Sequence, residues 1–259
     1  MSRYDAMFER LRLRGEGAFG AFAMLGDPDP EASSAILDML VEGGADMIEV
    51  GIPFSDPVAD GPVIQAAAVR ALAAGTRTAD GFRLLSKFRE RHPEVPVGIL
   101  TYANIVLARG LDAFYRAAAE AGVDSVLVAD VPLIEAAPFL AAARGAGVAP
   151  VLIAAPNTPA ERLKRIAEEG EGYTYCVARA GVTGVDEEVR FAGDVIAALK
   201  DAAAPPPVLG FGIATPEHVR LALRAGAAGT ISGSAIVGRI AGGEDVRAFV
   251  AAMKAATRR

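Results

Sequence analysis

Short apolar runs alternate with amphipathic stretches along almost the whole chain. The runs fall at Ala18–Leu25, Asp46–Val50, Val97–Thr101, Ser125–Ala129, Val148–Ala154, Tyr173–Ala178, Val208–Gly210 and Gly229–Ser232. Most are rich in Val, Ile, Leu or aromatic residues and do not alternate strictly with polar positions. Such runs suit strands buried on both faces, as in a parallel sheet. Helical patterns lie between them at Glu31–Glu42, Asp112–Ala121, Pro132–Arg144, Pro159–Glu169, Asp194–Ala202 and Pro216–Arg224. Proline opens several and glycine closes several, as the chemistry of helix ends requires. Three similar phrases mark returns from helix to strand: Glu42-Gly43-Gly44-Ala45-Asp46, Glu120-Ala121-Gly122-Val123-Asp124 and Arg224-Ala225-Gly226-Ala227-Ala228.

Eight strand–helix units in this length average about 32 residues each, the size of a βα unit, and the total is near the ~250 residues of an eight-fold barrel. The expected fold is therefore α/β, a (β/α)8 TIM barrel forming one domain over residues 1–259, in preference to an open doubly wound sheet. An extra N-terminal helix at Tyr4–Leu13 precedes the first strand and should plug the barrel's bottom. The net charge of −6 argues against a nucleic-acid or anionic-membrane surface. One cysteine excludes an internal disulfide, and two histidines with it make no zinc site unaided. The uncharged stretches are broken by proline and too short for a membrane span. The residues from Arg3 to Arg14 lack an apolar signal core, which predicts a cytosolic protein.

In a barrel, chemistry sits on the loops after the strands. Glu49 is a carboxylate embedded in the apolar second strand. If it faces the interior, Ile48 and Val50 face the helices, and a desolvated glutamate there has a raised pKa suited to acid–base work. The loop that follows holds Pro53, Pro57, Pro62, Asp56 and Asp60. Proline stiffens it, so it reads either as a mount for a carboxylate or partner, or as a turn in which Asp60 caps the next helix. Gly210-Phe211-Gly212-Ile213 and Ser232-Gly233-Ser234-Ala235 follow the last two strands. Glycines and a short helix beginning at Gly233-Ser234 read there as an oxyanion site or as tight turns for packing, the first being expected. Arg179–Glu188 reads as a mobile lid. His92 and His218 read as surface residues and Cys176 as inert packing. Tyr102, Tyr173 and Tyr175 lie at or near strand ends, where they are either core or the wall of a pocket for a flat ligand.

These pieces together resemble the tryptophan synthase α-subunit family, from Tyr4 to Thr257. The carriers are Leu25-Gly26-Asp27-Pro28, Glu49 with Gly51–Pro57 and Ala59–Pro62, and Tyr102-Ala103-Asn104, followed by Ala129–Pro132, Arg179–Gly184 and the two glycine segments above. The resemblance implies a retro-aldol cleavage of indole-3-glycerol phosphate to indole and glyceraldehyde 3-phosphate, without metal or organic cofactor. It assigns proton transfer to Glu49 and stabilisation of the indole nitrogen to Asp60. It assigns the phosphate to Gly184, Gly212, Gly233 and Ser234. The indole pocket falls to Phe22, Leu100, Tyr102, Leu127, Ala129, Ile153, Tyr175 and Thr183. It also implies a pyridoxal-phosphate-dependent β partner in an αββα complex, indole channelled between the subunits, and docking through Pro53, Asp56, Pro57 and Asn104. Ala21, Met24 and Ala178 depart from the usual family residues without touching the proposed catalytic pair. A free-standing indole-producing lyase, a non-catalytic activator of the β partner and a sugar-phosphate isomerase are the competing readings.

Overall fold

In the computed structural model, residues 1–177, 185–210 and 212–258 are described. The strands are β1 (Ala18–Met24), β2 (Met47–Gly51), β3 (Val97–Thr101), β4 (Ser125–Val128), β5 (Ala149–Pro150), β6 (Leu152–Ala154), β7 (Thr174–Val177), β8 (Pro207–Gly210) and β9 (Gly229–Ser232). The helices are α1 (Arg3–Leu13), α2 (Pro30–Glu42), α3 (Pro62–Ala73), α4 (Thr78–Arg91), α5 (Ala103–Arg109) and α6 (Leu111–Glu120). They continue with α7 (Ala137–Gly145), α8 (Ala160–Glu169), α9 (Val185–Asp201), α10 (Pro216–Arg224), α11 (Ser234–Ala241) and α12 (Arg247–Ala255).

The strands pair in parallel in the order β5-β4-β3-β2-β1-β9-β8-β7-β6. The two ends of that order are two pieces of one predicted strand. Val148–Ala154 is not continuous but breaks at Val151. Ala149 and Pro150 pair with β4, while Leu152–Ala154 pair with β7. The Val151 N–H still reaches the Val126 carbonyl at 3.0 Å. Val151 thus joins the first and last strands of the sheet, and the sheet closes into the expected barrel.

Closure sorts side chains by the period-two rule. Ile48, Val50, Ile99 and Val126 point outward and pack with the helices. Met47, Phe22, Leu127, Val208 and Ile231 point inward and form a second, interior cluster. Tyr4, Met7 and Leu11 of α1 belong to this interior cluster, so the N-terminal helix does plug the barrel floor. Their spacing puts them on one helix face. A reciprocal Ser2–Asp5 capping box starts that helix. The sequence pattern located most helices but not α3, α5 and α12, and located only the end of α4. Pro132–Arg144 resolves into a short 3-10 turn at Leu133–Glu135 followed by α7. Among the described residues no helix is long and apolar enough to cross a membrane.

Candidate active site

The strands' C-terminal ends open into a cavity of about 480 Å³. Phe22, Leu100, Leu127, Ala129, Ile153 and Tyr175 make an apolar wall around it, and Glu49, Asp60, Gly212, Gly233 and Ser234 border the same space. Six strands and four loops therefore deliver to one place residues that lie more than two hundred positions apart in the chain.

Glu49 sits inside β2, in register with Phe22 on one side and Gly98 on the other. It is 2% exposed. Its Oε1 accepts a 2.7 Å hydrogen bond from the Tyr173 hydroxyl. Burial pushes the carboxyl up to about 7; the Tyr173 bond works against that rise, and the charge of Asp60 adds to it. Tyr173 packs against Tyr4 of the floor helix at 5.4 Å between ring centroids, and Tyr4 shares a 2.9 Å hydrogen bond with Ser125. This layer of hydroxyls needs the missing side chain at Gly98. A Cβ there would lie 2.7 Å from Ser125 Oγ and 3.1 Å from Tyr4 Oη.

Asp60 is half-buried on the loop between β2 and α3. It does not cap the helix: the N-cap of α3 is Gly61, without a side-chain bond. Burial raises the Asp60 pKa, opposed by a hydrogen bond from the Tyr102 hydroxyl. The same hydroxyl accepts from the Ala59 N–H at 3.2 Å, and the Tyr102 ring lies 5.4 Å from that of Phe54. Tyr102 is buried and does not line the cavity, which matches the core reading of this tyrosine. It stands behind the loop and braces the residue that does face the cavity.

At the far end, Gly233 caps α11, so the N-terminus of this helix faces the cavity beside Gly212, which adopts φ of +79°. Unpaired N–H groups and the helix dipole suit an anion at such a place. Tyr175 reaches the wall by lying over Gly210, where any Cβ would fall 2.1 Å from its Oη. Thr183, Gly184, Phe211 and most of the predicted lid lie outside the described residues. Among residues singled out for docking, Asp56 and Asn104 are exposed and Pro57 is half-buried. Pro53 is buried, so it shapes the loop rather than presenting a contact surface. His92 is half-buried rather than on the surface, with Nε2 2.7 Å from Asp38. His218 lies behind the Gly212 turn. Cys176 faces the outer helices, and burial pushes its thiol up to about 12, which fits inert packing. The sequence reading missed Ile64, Val177, Ile213, Ala214 and Ile231 in the cavity wall. Ile231 and Val177 follow from strand alternation once the inward face is known, but Ile64 enters from a helix the pattern did not locate.

A family model described as the tryptophan synthase alpha chain matches residues 8–258. The chain belongs to the tryptophan synthase alpha chain family. A tryptophan synthase alpha chain from Shewanella amazonensis is 54% identical over 99% of this chain and 100% of its own length. One from Klebsiella pneumoniae is 50% identical over 100% and 99%. Among solved structures, a tryptophan synthase subunit alpha from Legionella pneumophila superposes with a TM-score of 0.89 at 30% identity, covering 99% of this chain and 98% of that one. A ligand-free tryptophan synthase from M. tuberculosis gives 0.91 at 30% identity, covering both chains fully. As a member of the family, the chain is a carbon–carbon lyase of the α reaction and works with a β subunit. The barrel architecture is shared with these structures.

Proposed function

We propose that Glu49 and Asp60 divide the cleavage of indole-3-glycerol phosphate between them. Glu49 in its neutral form donates a proton to the ring carbon that carries the glycerol chain. The indole nitrogen becomes cationic, and Asp60, ionised and hydrogen-bonded to the N–H, stabilises it. The Glu49 carboxylate then takes the proton from the adjacent glycerol hydroxyl. The carbon–carbon bond breaks, its electrons return to the ring, and indole and glyceraldehyde 3-phosphate separate with Glu49 protonated as at the start. Phe22, Leu100, Leu127, Ala129, Ile153 and Tyr175 hold the flat ring; Gly212, Gly233 and Ser234, with Gly184, hold the phosphate. One observation carries the reading: a carboxyl whose proton affinity lies near neutrality borders an apolar cavity that also holds a second carboxylate. The residues from 1 to 259 act as one domain in this reading. No helix among the described residues spans a membrane, and the one cysteine is buried, which fits a cytoplasmic enzyme.

The β partner docks against the loops after β2, β3 and β4. Asp56, Pro57 and Asn104 contribute there, with Pro53 shaping the first loop. Val58 on the first loop, Leu107 on α5 and Ile134 in the 3-10 turn after β4 are 81%, 53% and 79% exposed, an apolar set suited to a partner. Docking fixes the loop that carries Asp60, so the partner should raise the lyase rate. The test is indole release from indole-3-glycerol phosphate, titrated with β subunit, for wild type and Asp60→Asn. The variant should lose about 10²–10³ in rate and most of its response to β, while binding β normally. Unchanged fold-activation in the variant would move the coupling away from Asp60. A high wild-type rate indifferent to β would favour a free-standing lyase.

A further inference from the structure

An anion cradled by backbone N–H groups must not meet backbone carbonyls, which carry the opposite partial charge. The turn after β8 has carbonyls at Gly212 and Ile213, beside the proposed phosphate site. Both are engaged by side chains. Ser232 Oγ donates to the Ile213 carbonyl at 2.6 Å. His218 Nδ1 lies 2.9 Å from the Gly212 carbonyl. The imidazole is held in place by its own helix: His218 stands in the first turn of α10, and its backbone N–H bonds the Thr215 cap.

The same Nδ1 also lies 3.3 Å from the backbone nitrogen of Ala214. One nitrogen cannot serve both. With a proton it donates to the Gly212 carbonyl; without one it accepts from the Ala214 N–H. The first arrangement has the shorter distance and leaves the Ala214 N–H free of the imidazole. Ala214 borders the cavity. The second consumes that N–H and sets a lone pair against a carbonyl.

We propose that His218 is a positioning residue of the phosphate subsite, whose Nδ1–H turns the Gly212 carbonyl away from the anion as Ser232 does for Ile213. The inference rests on the phosphate reading given above. It makes anion binding and the Nδ1-protonated tautomer mutually reinforcing, because each favours the same arrangement of the turn. His218 touches no substrate atom in this scheme and acts only through the backbone it orients.

The chain has only two histidines, so imidazole ¹⁵N spectra of the whole protein are directly readable. Glycerol 3-phosphate is a suitable probe, being a phosphate monoester without an indole ring. Its addition should move the His218 ring nitrogens toward the Nδ1-protonated form and leave His92, at the C-terminal end of α4, unmoved. In kinetics, His218→Ala should raise KM and weaken glycerol 3-phosphate binding by about three- to tenfold, the scale of one hydrogen bond. The turnover number should change by less than about twofold, and affinity for indole itself should not change. His218→Asn places an amide N–H near the lost Nδ1–H and should restore most of the affinity. An unmoved His218 signal, unchanged binding in His218→Ala, or His218→Asn as weak as His218→Ala would each overturn the proposal. Ser234→Asp separates the two readings. If it abolishes phosphate-ester binding while His218→Ala does nothing, only the role of His218 fails. If neither variant affects binding, the phosphate site itself is misplaced.

Discussion

Glu49, costly to the fold, is the side chain to which the proposed chemistry gives the proton. Its carboxyl is pushed up to about 7 by burial, above the ordinary glutamate value of 4.5. Between those values the native state holds a proton that the unfolded chain has released, so stability falls as pH rises from 4.5 to 7. Glu49→Gln cannot ionise and escapes that fall. At pH 8 the variant should be more stable than wild type by up to about 3 kcal/mol, and the gap should close near pH 4; urea denaturation at the two pH values reads it. The same substitution should lower turnover by about 10²–10⁴. Wild-type turnover itself should decline above about pH 7, since the first step needs the protonated acid. Equal stability of variant and wild type at pH 8 would mean that Glu49 is not desolvated as its burial indicates.

At the scale of elements, the repeated helix-to-strand phrase acquires a physical meaning. Asp46 donates its N–H to the Phe19 carbonyl and accepts from the Phe19 N–H, each at 2.8 Å. Asp124 does the same with Val97, again at 2.8 Å. Each aspartate thus ties the start of its strand to the strand before it. A cation completes each clamp: Lys254 at 2.9 Å from Asp46, Arg3 and Arg89 at 2.8 and 2.7 Å from Asp124. In the third copy the residue is Ala228, whose N–H bonds the Pro207 carbonyl at 2.7 Å. Proline has no N–H to offer, so a carboxylate there would have nothing to accept. Asp124→Ala should cost about 1–3 kcal/mol in chemical denaturation, because it strands the Val97 N–H and removes the carboxylate partner of the largely buried Arg89, which keeps its backbone carbonyls. A loss under about 0.5 kcal/mol would show that water replaces the clamp.

The same repeats made the barrel legible in the sequence, because glycine stops and apolar runs are local signals. Glu49 was legible for a related reason: a charge in an apolar strand stands out. Helices α3 and α5 were not: Pro62–Ala73 is rich in alanine with little polar contrast around the helix, and Ala103–Arg109 is only seven residues long. The break at Val151 was hidden because Val148–Ala154 is uniformly apolar, and only pairing with two different neighbours divides it. The family pattern puts Tyr102 at the indole pocket, and the structure adds that its hydroxyl is turned to Asp60 by a contact between strand end and loop. Such a contact leaves no periodic trace.

For the molecule as a whole, the site is a product of closure. The apolar wall, the two carboxyls and the proposed anion end come from strands and loops on all sides of the ring, and none of them has a site alone. Yet the ring is fastened unevenly. β1 pairs with β2 over five residue positions, whereas β5 pairs with β4 over two. The seam at Val151, with the equally short β8–β9 pairing, is therefore where the cylinder should come apart before β1 and β2 separate. In native-state hydrogen exchange, the Val151 and Glu171 amides, which bond across that seam to Val126 and Pro150, should exchange through an opening of lower free energy than amides of β1 and β2. Equal protection around the ring would contradict this. An opening there would momentarily turn a sheet with no edges into one with two, and give another copy of the chain a strand to pair with. The shortest strands of the fold thus guard it against self-association.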